Sequence, residues 1–189
     1  MTNVSINVPA VKPLKLLVVG EVVLDRYRWG TVERISPEAP IPVLHLNHSE
    51  ERLGNAAFVA ASVRALGAEA NLLSVIGADA DGCTVCRMTD NQGIGRDSLL
   101  EEPARPTIVK ERLLGAAQSA QRGIQQMLRV DREDLMPLDP AVEAKLLTRL
   151  DIELQNADGV LVCDINKGLL TPRLLGSGAS HCASCLAAI

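Results

Sequence analysis

The 189-residue sequence has almost no aromatic residues: it contains one Phe, one Trp and one Tyr. Its formal net charge is -4, and charges of both signs are mixed along the chain without a basic stripe. Because nucleic-acid surfaces rely on basic patches and aromatic stacking, we expect no nucleic-acid partner. Hydrophobic residues make up 47% of the chain and charged residues 22%, which indicates a globular domain with an aliphatic core.

Long apolar runs are also missing. No run reaches the roughly 20 residues that a membrane span needs. The first 15 residues do not have the charged start and apolar stretch of a secretory signal. We therefore expect a cytoplasmic protein without a membrane partner.

Two patterns could suggest a metal site, but neither has all the features of a known site. The five cysteines include two C-x-x-C pairs, Cys83/Cys86 and Cys182/Cys185, which lie far apart and lack the turn residues of a zinc knuckle. The segment DADG at residues 79–82 resembles a calcium loop but lacks its third ligand position and closing Glu. We expect no metal ligands and regard the cysteines as incidental.

Short apolar segments alternate with helix-prone segments, as in a parallel sheet with helices on its faces. The predicted buried strands are residues 15–20, 71–76 and 159–163. The predicted helices are residues 54–66, 79–92 and 139–154, and Pro172 begins another that Gly176 interrupts. No strand is predicted after that last helix, although a crossover helix needs one to pack against. The pattern therefore predicts an incomplete sheet.

The segment between the first strand and the first helix is rich in charge and proline, so it cannot be helical. After a loop at residues 21–25, it is predicted to form short exposed strands at 31–35 and 41–46, outside the main sheet. Three more strands are predicted at residues 97–102, 107–114 and 124–131, with an exposed loop at 115–123.

The two ends of the chain differ from the rest. Residues 1–14 are predicted to be a flexible leader. Residues 176–189 lose the helical period and are enriched in Gly, Ser, Ala and Cys. That tail has two interpretations: a disordered C-terminus, or a failure of the reading frame near Gly176.

Polar residues follow the predicted strands at the sheet edge where open parallel sheets bind ligands. They are Asp25, Asp79, and Asp164 with Lys167. A carboxylate there can accept hydrogen bonds from a diol, a lysine can meet a phosphate, and the helix that Gly54 opens could hold an anion. Each acidic or basic residue has a plainer alternative, since Asp79 favours a helix cap and the others are often solvated.

The segment GEVVLDRYRWGTVERISPEAPIPVL at residues 20–44 closely resembles the opening of the bacterial heptose-7-phosphate kinases, which are ribokinase-like (PfkB) carbohydrate kinases. Further segments resemble the family's motifs in order: ERLGNAAFVA at 51–60, GADADG at 77–82, PTIVKER at 106–112, QQMLRVDRED at 125–134 and CDINKG at 163–168. The resemblance covers residues 15–175.

The resemblance implies a three-layer α/β/α ribokinase-like fold with a small β lid at about residues 28–46, truncated after roughly its first half. In relatives the lid covers the sugar and often forms a homodimer contact. The resemblance further implies ATP- and Mg²⁺-dependent phosphorylation of the anomeric hydroxyl of a heptose 7-phosphate, in the biosynthesis of lipopolysaccharide core heptose. The implied partner is therefore a small-molecule sugar phosphate.

The resemblance also implies which residues contact the substrate. By matching position, Asp25 would bind sugar hydroxyls, and Gly54 and Asn55 would line the sugar site. Three residues would face the substrate from the strands, namely Lys110, Arg112 and Gln126. Two would stand near the phosphates, namely Asp164 and Lys167.

Several positions depart from the family pattern. Glu21 stands where relatives have Asp, Asn55 replaces a Gly, and Phe58 replaces an Asn that contacts the sugar. Ile165 and Asn166 alter the family's S-D-Y-x-K-G loop. We expect these changes to weaken sugar binding, because they add bulk where backbone approaches the ligand and remove a polar partner.

The family's catalytic Asp and anion hole belong to a G-A-G-D motif that this sequence does not contain. The H-x-G-H motif of the adenylyltransferase domain often fused to these kinases is also missing. We therefore expect no catalytic residue and no ATP site in this chain. Two hypotheses follow: a carbohydrate kinase that is inactive as this truncated chain, or a non-catalytic remnant that at most binds a sugar phosphate or dimerises.

Overall fold

A computed structural model of the chain describes residues 13–117, 123–181 and 185–188. The strands are β1 (Lys15–Gly20), β2 (Val22–Ile35), β3 (Pro42–Asn55), β4 (Glu69–Gly77), β5 (Leu99–Glu102), β6 (Ile108–Ala117), β7 (Gln125–Arg132), β8 (Gly159–Cys163) and β9 (Cys185–Ala188). The helices are α1 (Ala56–Ala65), α2 (Ala80–Asn91), α3 (Pro140–Leu154) and α4 (Pro172–His181). In the part of the chain that is described, no helix is both long and apolar enough to cross a membrane.

The main sheet is parallel and has the strand order β5-β4-β1-β8-β9. Because side chains alternate along a strand, β1 supplies both faces: Val18 packs with α1 and α2, whereas Leu17 and Val19 pack with α3. The two aliphatic cores include Val85 on one face and Leu146 on the other, each fully buried. The predicted three-layer α/β/α fold is confirmed.

A second, four-stranded sheet with the order β3-β2-β6-β7 stands apart from the main sheet, and we call it the lid. Strand β2 pairs antiparallel with β3 and parallel with β6, and β6 pairs antiparallel with β7. The lid is larger than the predicted residues 28–46, because β2 and β3 each have 14 residues and β6 and β7 also belong to it. The loop predicted at 21–25 is wrong, since β2 begins at Val22. Cross-strand ion pairs such as Arg26–Glu51 allow the charged segment to form strands.

Three other boundaries differ from the sequence prediction. Helix α1 begins at Ala56, because Gly54 and Asn55 still pair in β3. Helix α4 continues through Gly176, whose cost in a helix is only about 1 kcal/mol, and β9 follows it beside β8. The expected interruption at Gly176 and the expected lack of a following strand are therefore wrong. Residues 1–12 of the predicted leader lie outside the described residues. Most of the loop predicted at 115–123 also lies outside them, but residues 115–117 extend β6.

Asp79 is the N-cap of α2, as the sequence favoured. Its Oδ1 atom accepts hydrogen bonds from the Gly82 backbone N–H and the Thr107 hydroxyl, both at 2.7 Å, and its Oδ2 atom accepts one from the Thr107 N–H at 3.0 Å. Burial alone would raise the pKa of Asp79, but these hydrogen bonds outweigh it and hold the pKa below its ordinary value. Asp79 therefore joins α2 to the start of β6.

We expect Asp79→Asn to lower the free energy of unfolding by about 1–2 kcal/mol at pH 7, because the amide cannot accept all three hydrogen bonds. The unfolded-state pKa is ~3.9, and the folded-state pKa is lower, so the wild-type advantage is complete above about pH 4. It should be lost as the pH falls through the folded-state pKa. Urea unfolding of both proteins from pH 7 down to acidic pH measures this difference, with Asp151→Asn, at an exposed position of α3, as the control. A difference that stays constant into acid would contradict the role of the Asp79 charge.

Candidate functional site

The candidate site lies where the carboxyl ends of β1 and β8 meet the base of the lid. Gly20 ends β1 directly beside Cys163 at the end of β8, and a side chain on Gly20 would collide with the Cys163 carbonyl. This close approach brings the β1–β2 junction against the loop of residues 163–168. The end of β3 and the start of α1 complete the edge.

Glu21 connects these elements and is only 2% exposed. Its carboxylate accepts hydrogen bonds from the backbone N–H groups of Lys167 at 3.0 Å and Ile165 at 3.3 Å. Its backbone carbonyl accepts from the Asn55 side chain at 2.8 Å and the Ala56 N–H at 3.2 Å. The loop that the resemblance placed near the phosphates thus directs two backbone donors at Glu21. Sequence reasoning treated Glu21 only as a mild substitution and missed this role.

Asn55 occupies the position where the family motif has Gly, and its backbone keeps the conformation that Gly favours. Its φ is 46° and its ψ is -124°, a region that is strained for any residue with a side chain. The side-chain amide donates to the Glu21 carbonyl and so stabilises the turn between β3 and α1. Asn55 is therefore at the site's edge, with its side chain engaged by the backbone.

The structure brings Asp25, Gly54 and Arg112 together. The Arg112 Nη1 atom donates to the Asp25 Oδ1 atom at 2.5 Å in a partly buried ion pair. A side chain on Gly54 would collide with the other Asp25 oxygen, Oδ2, so only glycine leaves that carboxylate its place. Arg112 also lies over the Tyr27 ring, 5.1 Å from its centroid. Burial lowers the pKa of Arg112, but the bond to Asp25 outweighs it and raises that pKa above its ordinary value.

The structure brings Lys110 to this cluster but not Gln126. Lys110 is the β6 partner of Asp25, and it is also paired with Asp131 on β7. Gln126 pairs with Leu114, four residues further along β6 and so about 13 Å along the strand from Lys110. Gln126 is exposed at that distant position.

Asp164 and Lys167 lie in the loop after β8 and have protein partners. The Asp164 carboxylate accepts from the Asn166 N–H at 2.7 Å, and the Lys167 Nζ atom donates to Glu133 Oε1 at 2.7 Å. The second carboxylate oxygen of Glu133 is buried and has no hydrogen-bond partner among the described residues. Glu133 is a candidate acceptor that sequence reasoning missed. Its only signal was its place inside the family-like segment at 125–134.

The candidate site can therefore bind hydroxyl groups and an anion. Asp25 Oδ2 and Glu133 Oε2 are acceptors, and Lys110, Arg112 and Lys167 are cations within the same region. No group of three or more His, Cys, Asp or Glu side chains that could hold a metal ion occurs in the described ranges. Cys83 and Cys86 are free thiols on α2, while Cys182 lies outside the described residues.

A cavity of about 330 Å³ lies at the opposite, amino end of the strands. Lys15, Glu69 and Glu153 are among its lining residues. Glu153 is satisfied there by Asn71 and Ser98. Because open parallel sheets bind ligands at their carboxyl ends, we place the functional site at the lid and not in this cavity.

Comparison with solved structures identifies the fold. A putative sugar kinase from Clostridium perfringens superimposes with a TM-score of 0.62 at 16% identity, over 90% of this chain and 48% of that one. Arabidopsis thaliana ribokinase complexed with ribose and ATP gives a TM-score of 0.52 at 17% identity, over 80% of this chain and 46% of that one. The chain therefore has the fold of the ribokinase-like sugar kinases. No family model matches it.

Curated relatives narrow the class. The chain is 40% identical over 167 residues to the bifunctional protein HldE of Trichlorobacter lovleyi, covering 88% of this chain and 33% of that protein. It is 42% identical over 156 residues to the D-beta-D-heptose 7-phosphate kinase of Bordetella bronchiseptica, covering 82% of this chain and 47% of that protein. The chain is a homologue of the bifunctional HldE protein and of the D-beta-D-heptose 7-phosphate kinase, and it matches the N-terminal kinase domain. It spans a third to a half of their length.

We expect Glu21→Ala to release the loop of residues 163–168, because two backbone donors lose their acceptor, at a cost of about 1–3 kcal/mol. Under native conditions, limited trypsin digestion should cut the Glu21→Ala protein at Lys167 several-fold faster than it cuts the wild type. Cleavage at Lys145, an exposed residue of α3, is the internal reference in each protein. Glu21→Gln, which keeps one acceptor oxygen, should be intermediate.

Glu101→Ala, which removes an exposed carboxylate from β5, is the matched control for this measurement. Equal relative cleavage at Lys167 in the Glu21→Ala and Glu101→Ala proteins would contradict the role of Glu21.

Proposed function

We propose that this chain is the sugar-phosphate-binding part of a heptose 7-phosphate kinase, acting in the biosynthesis of lipopolysaccharide core heptose. The observation that carries the proposal is the Asp25–Arg112 pair, set against Gly54 where the main sheet meets the lid. Relatives named as heptose 7-phosphate kinases supply the substrate class. The proposed acceptor is the anomeric hydroxyl of the heptose.

Asp25 is suited to hold the sugar. Arg112 occupies Oδ1, which leaves Oδ2 to accept hydrogen bonds from sugar hydroxyls. A carboxylate fixed by an ion pair has lost its rotational freedom before the ligand arrives, so less entropy is lost on binding. The unpartnered oxygen of Glu133 would accept from a further hydroxyl.

The cations are suited to the phosphate of the substrate. Lys110 lies beside Asp25 on the neighbouring strand, and Lys167 lies beside Glu133. Since Lys167 is neutralised by Glu133, we assign the first contact with the phosphate to Lys110. Asp164 and Asn55, whose polar atoms bond within the chain, shape the edge of the site.

ATP would supply the phosphoryl group, and Mg²⁺ would neutralise the charge on the phosphates. The A. thaliana ribokinase of the same fold was solved with ATP. The described residues do not offer a carboxylate cluster that fits Mg²⁺, and the sequence has no G-A-G-D motif. We therefore assign no residue of this chain to ATP or Mg²⁺ and propose that the chain alone binds substrate without transferring phosphate.

Phe58 is the departure that changes the ligand-facing surface. It is 61% exposed in the first turn of α1, where the family motif has the Asn that contacts the sugar. A phenyl ring offers no hydrogen bond to a hydroxyl. We propose that Phe58 lowers the affinity of this chain for the sugar.

Isothermal titration of the purified chain with D-glycero-D-manno-heptose 7-phosphate tests the proposal. We expect Asp25→Asn and Gly54→Ala each to weaken binding at least about tenfold, because a hydrogen bond to a charged group contributes about 1.5–3 kcal/mol. Phe58→Asn should strengthen it. Asp97→Asn, at the opposite end of the strands, is the control. Unchanged affinity in Asp25→Asn, or ATP-dependent phosphorylation of the sugar by the chain alone, would contradict the proposal.

We also propose that the lid forms a homodimer contact. Exposed apolar side chains lie on the two outer strands of the lid and at its β2–β3 connection. Leu46 is on β3 and Leu128 and Val130 are on β7, while Ile35 and Ile41 flank the turn between β2 and β3. Strands β3 and β7 are the two edges of the lid, so both present unpaired backbone groups. A partner lid would cover these side chains and edges.

Sedimentation equilibrium should show a concentration-dependent dimer, because burial of the exposed apolar residues drives association. Ile41→Glu and Val130→Lys should each shift the chain to monomer. Leu66→Glu, at an 87% exposed position after α1 and outside the lid, should leave the dimer intact. A monomeric wild type at all concentrations would exclude the contact.

A further inference from the structure

Asp81 joins the body of the molecule to two strands of the lid. It is the second residue of α2, is 8% exposed, and is not the cap of that helix. Its Oδ1 atom accepts from Arg26 on β2 and its Oδ2 atom accepts from Arg132 on β7, both at 2.6 Å. Both carboxylate oxygens are thus bonded to arginines from different lid strands.

Arg26 also bonds to a third lid strand, β3. Its Nη2 and Nε atoms donate to Glu51 on β3 at 2.7 and 2.9 Å. Burial lowers the pKa of Arg26, but the hydrogen bonds with Asp81 and Glu51 outweigh it and hold the pKa above its ordinary value. Arg26 is therefore a permanent cation between two carboxylates, and it fixes β2 and β3 relative to α2.

The residues held by Asp81 are chain neighbours of the candidate acceptors. Arg26 follows Asp25, and because side chains alternate along a strand, the two project from opposite faces of β2. Arg132 precedes Glu133 at the end of β7. A shift of either arginine relative to α2 would therefore move an acceptor carboxylate of the candidate site.

We propose that Asp81 is a positioning residue, which holds β2 and β7 against α2 and so sets the spacing of Asp25 and Glu133 before the sugar phosphate binds. This inference rests on the proposed function of the site. Asp81 also lies at the amino end of α2, where the helix dipole favours a negative charge. The helix dipole favours a negative charge at position 81, and the bonds from Arg26 and Arg132 connect that charge to the lid strands β2 and β7.

Asp81→Asn replaces one acceptor oxygen by an amide N–H₂ group, which opposes a guanidinium. We expect the lid to loosen while the main sheet keeps its aliphatic cores. Asp81→Glu keeps the charge and should restore part of the effect. Asp90→Asn is the matched control, because Asp90 lies on the same helix and pairs with Arg96 outside the lid.

Hydrogen exchange of the full chain without ligand tests the anchoring. In Asp81→Asn, amide exchange in β2 and β7 should rise about tenfold over wild type, while exchange in β1, β4 and β8 stays unchanged. Asp90→Asn should leave all five strands unchanged. Lid exchange in Asp81→Asn equal to that in Asp90→Asn would overturn the inference.

A second variant distinguishes local loosening of the lid from a general loss of stability. Arg132→Gln removes one of the two arginines, and the Asp81 carboxylate keeps its ion pair with Arg26, so it is not left unpaired in the interior. We expect exchange to rise in β7 alone. A rise of equal size in the main sheet would mean that the ion pairs stabilise the whole fold and do not position the lid.

Titration with heptose 7-phosphate separates this inference from the proposed function. If wild type binds, Asp81→Asn should bind several-fold more weakly, and equal affinity with a loosened lid would overturn the positioning role. If wild type does not bind, the proposed function fails. The anchoring by Asp81 is then decided by the exchange rates alone.

Discussion

Burial of the Glu21 carboxylate is the constraint that joins the parts of this molecule. A carboxylate that is almost inaccessible to water is strongly unfavourable unless hydrogen bonds satisfy it. Its donors, the N–H groups of Ile165 and Lys167, belong to a loop more than 140 residues away in sequence. Its own carbonyl receives Asn55 and the first N–H of α1. The loop, the start of α1 and the origin of the lid therefore depend on one another.

Because side chains alternate along β2, the two faces of the lid make different contacts. On one face Arg26 is bonded to α2 through Asp81. On the other face Asp25 pairs with Arg112, which lies over Tyr27. The only Tyr and Trp of the sequence stack on each other in β2, with ring centroids 5.6 Å apart. Tyr27, which stacks on Trp29, thus contacts Arg112 at the candidate site.

The sequence predicts the parts of the fold that follow from local rules. Apolar runs locate β1, β4 and β8 within two residues, and Asp139 locates the start of α3. The lid strands were underestimated, because their charged side chains are satisfied by partners distant in the chain, such as Glu51 for Arg26. The roles of Asp81 and Glu133 were missed for the same reason, because their partners lie 55 and 34 residues away in the chain. No periodicity or motif encodes such pairs, whereas the family resemblance had already named Asp25 and Arg112, which the structure pairs.

The two departures in the motif before α1 have different physical consequences. Asn55 has a positive-φ backbone conformation that favours glycine, and its side chain compensates part of the strain by bonding to Glu21. Gly54, directly before it, lies against the Asp25 carboxylate. Phe58 makes no such compensation, because its ring is exposed and replaces a hydrogen-bonding group. We propose that any weakness in sugar binding originates in the side chain at position 58 and not in the scaffold, because α1 begins directly after Asn55 and the Asp25 carboxylate is held by Arg112.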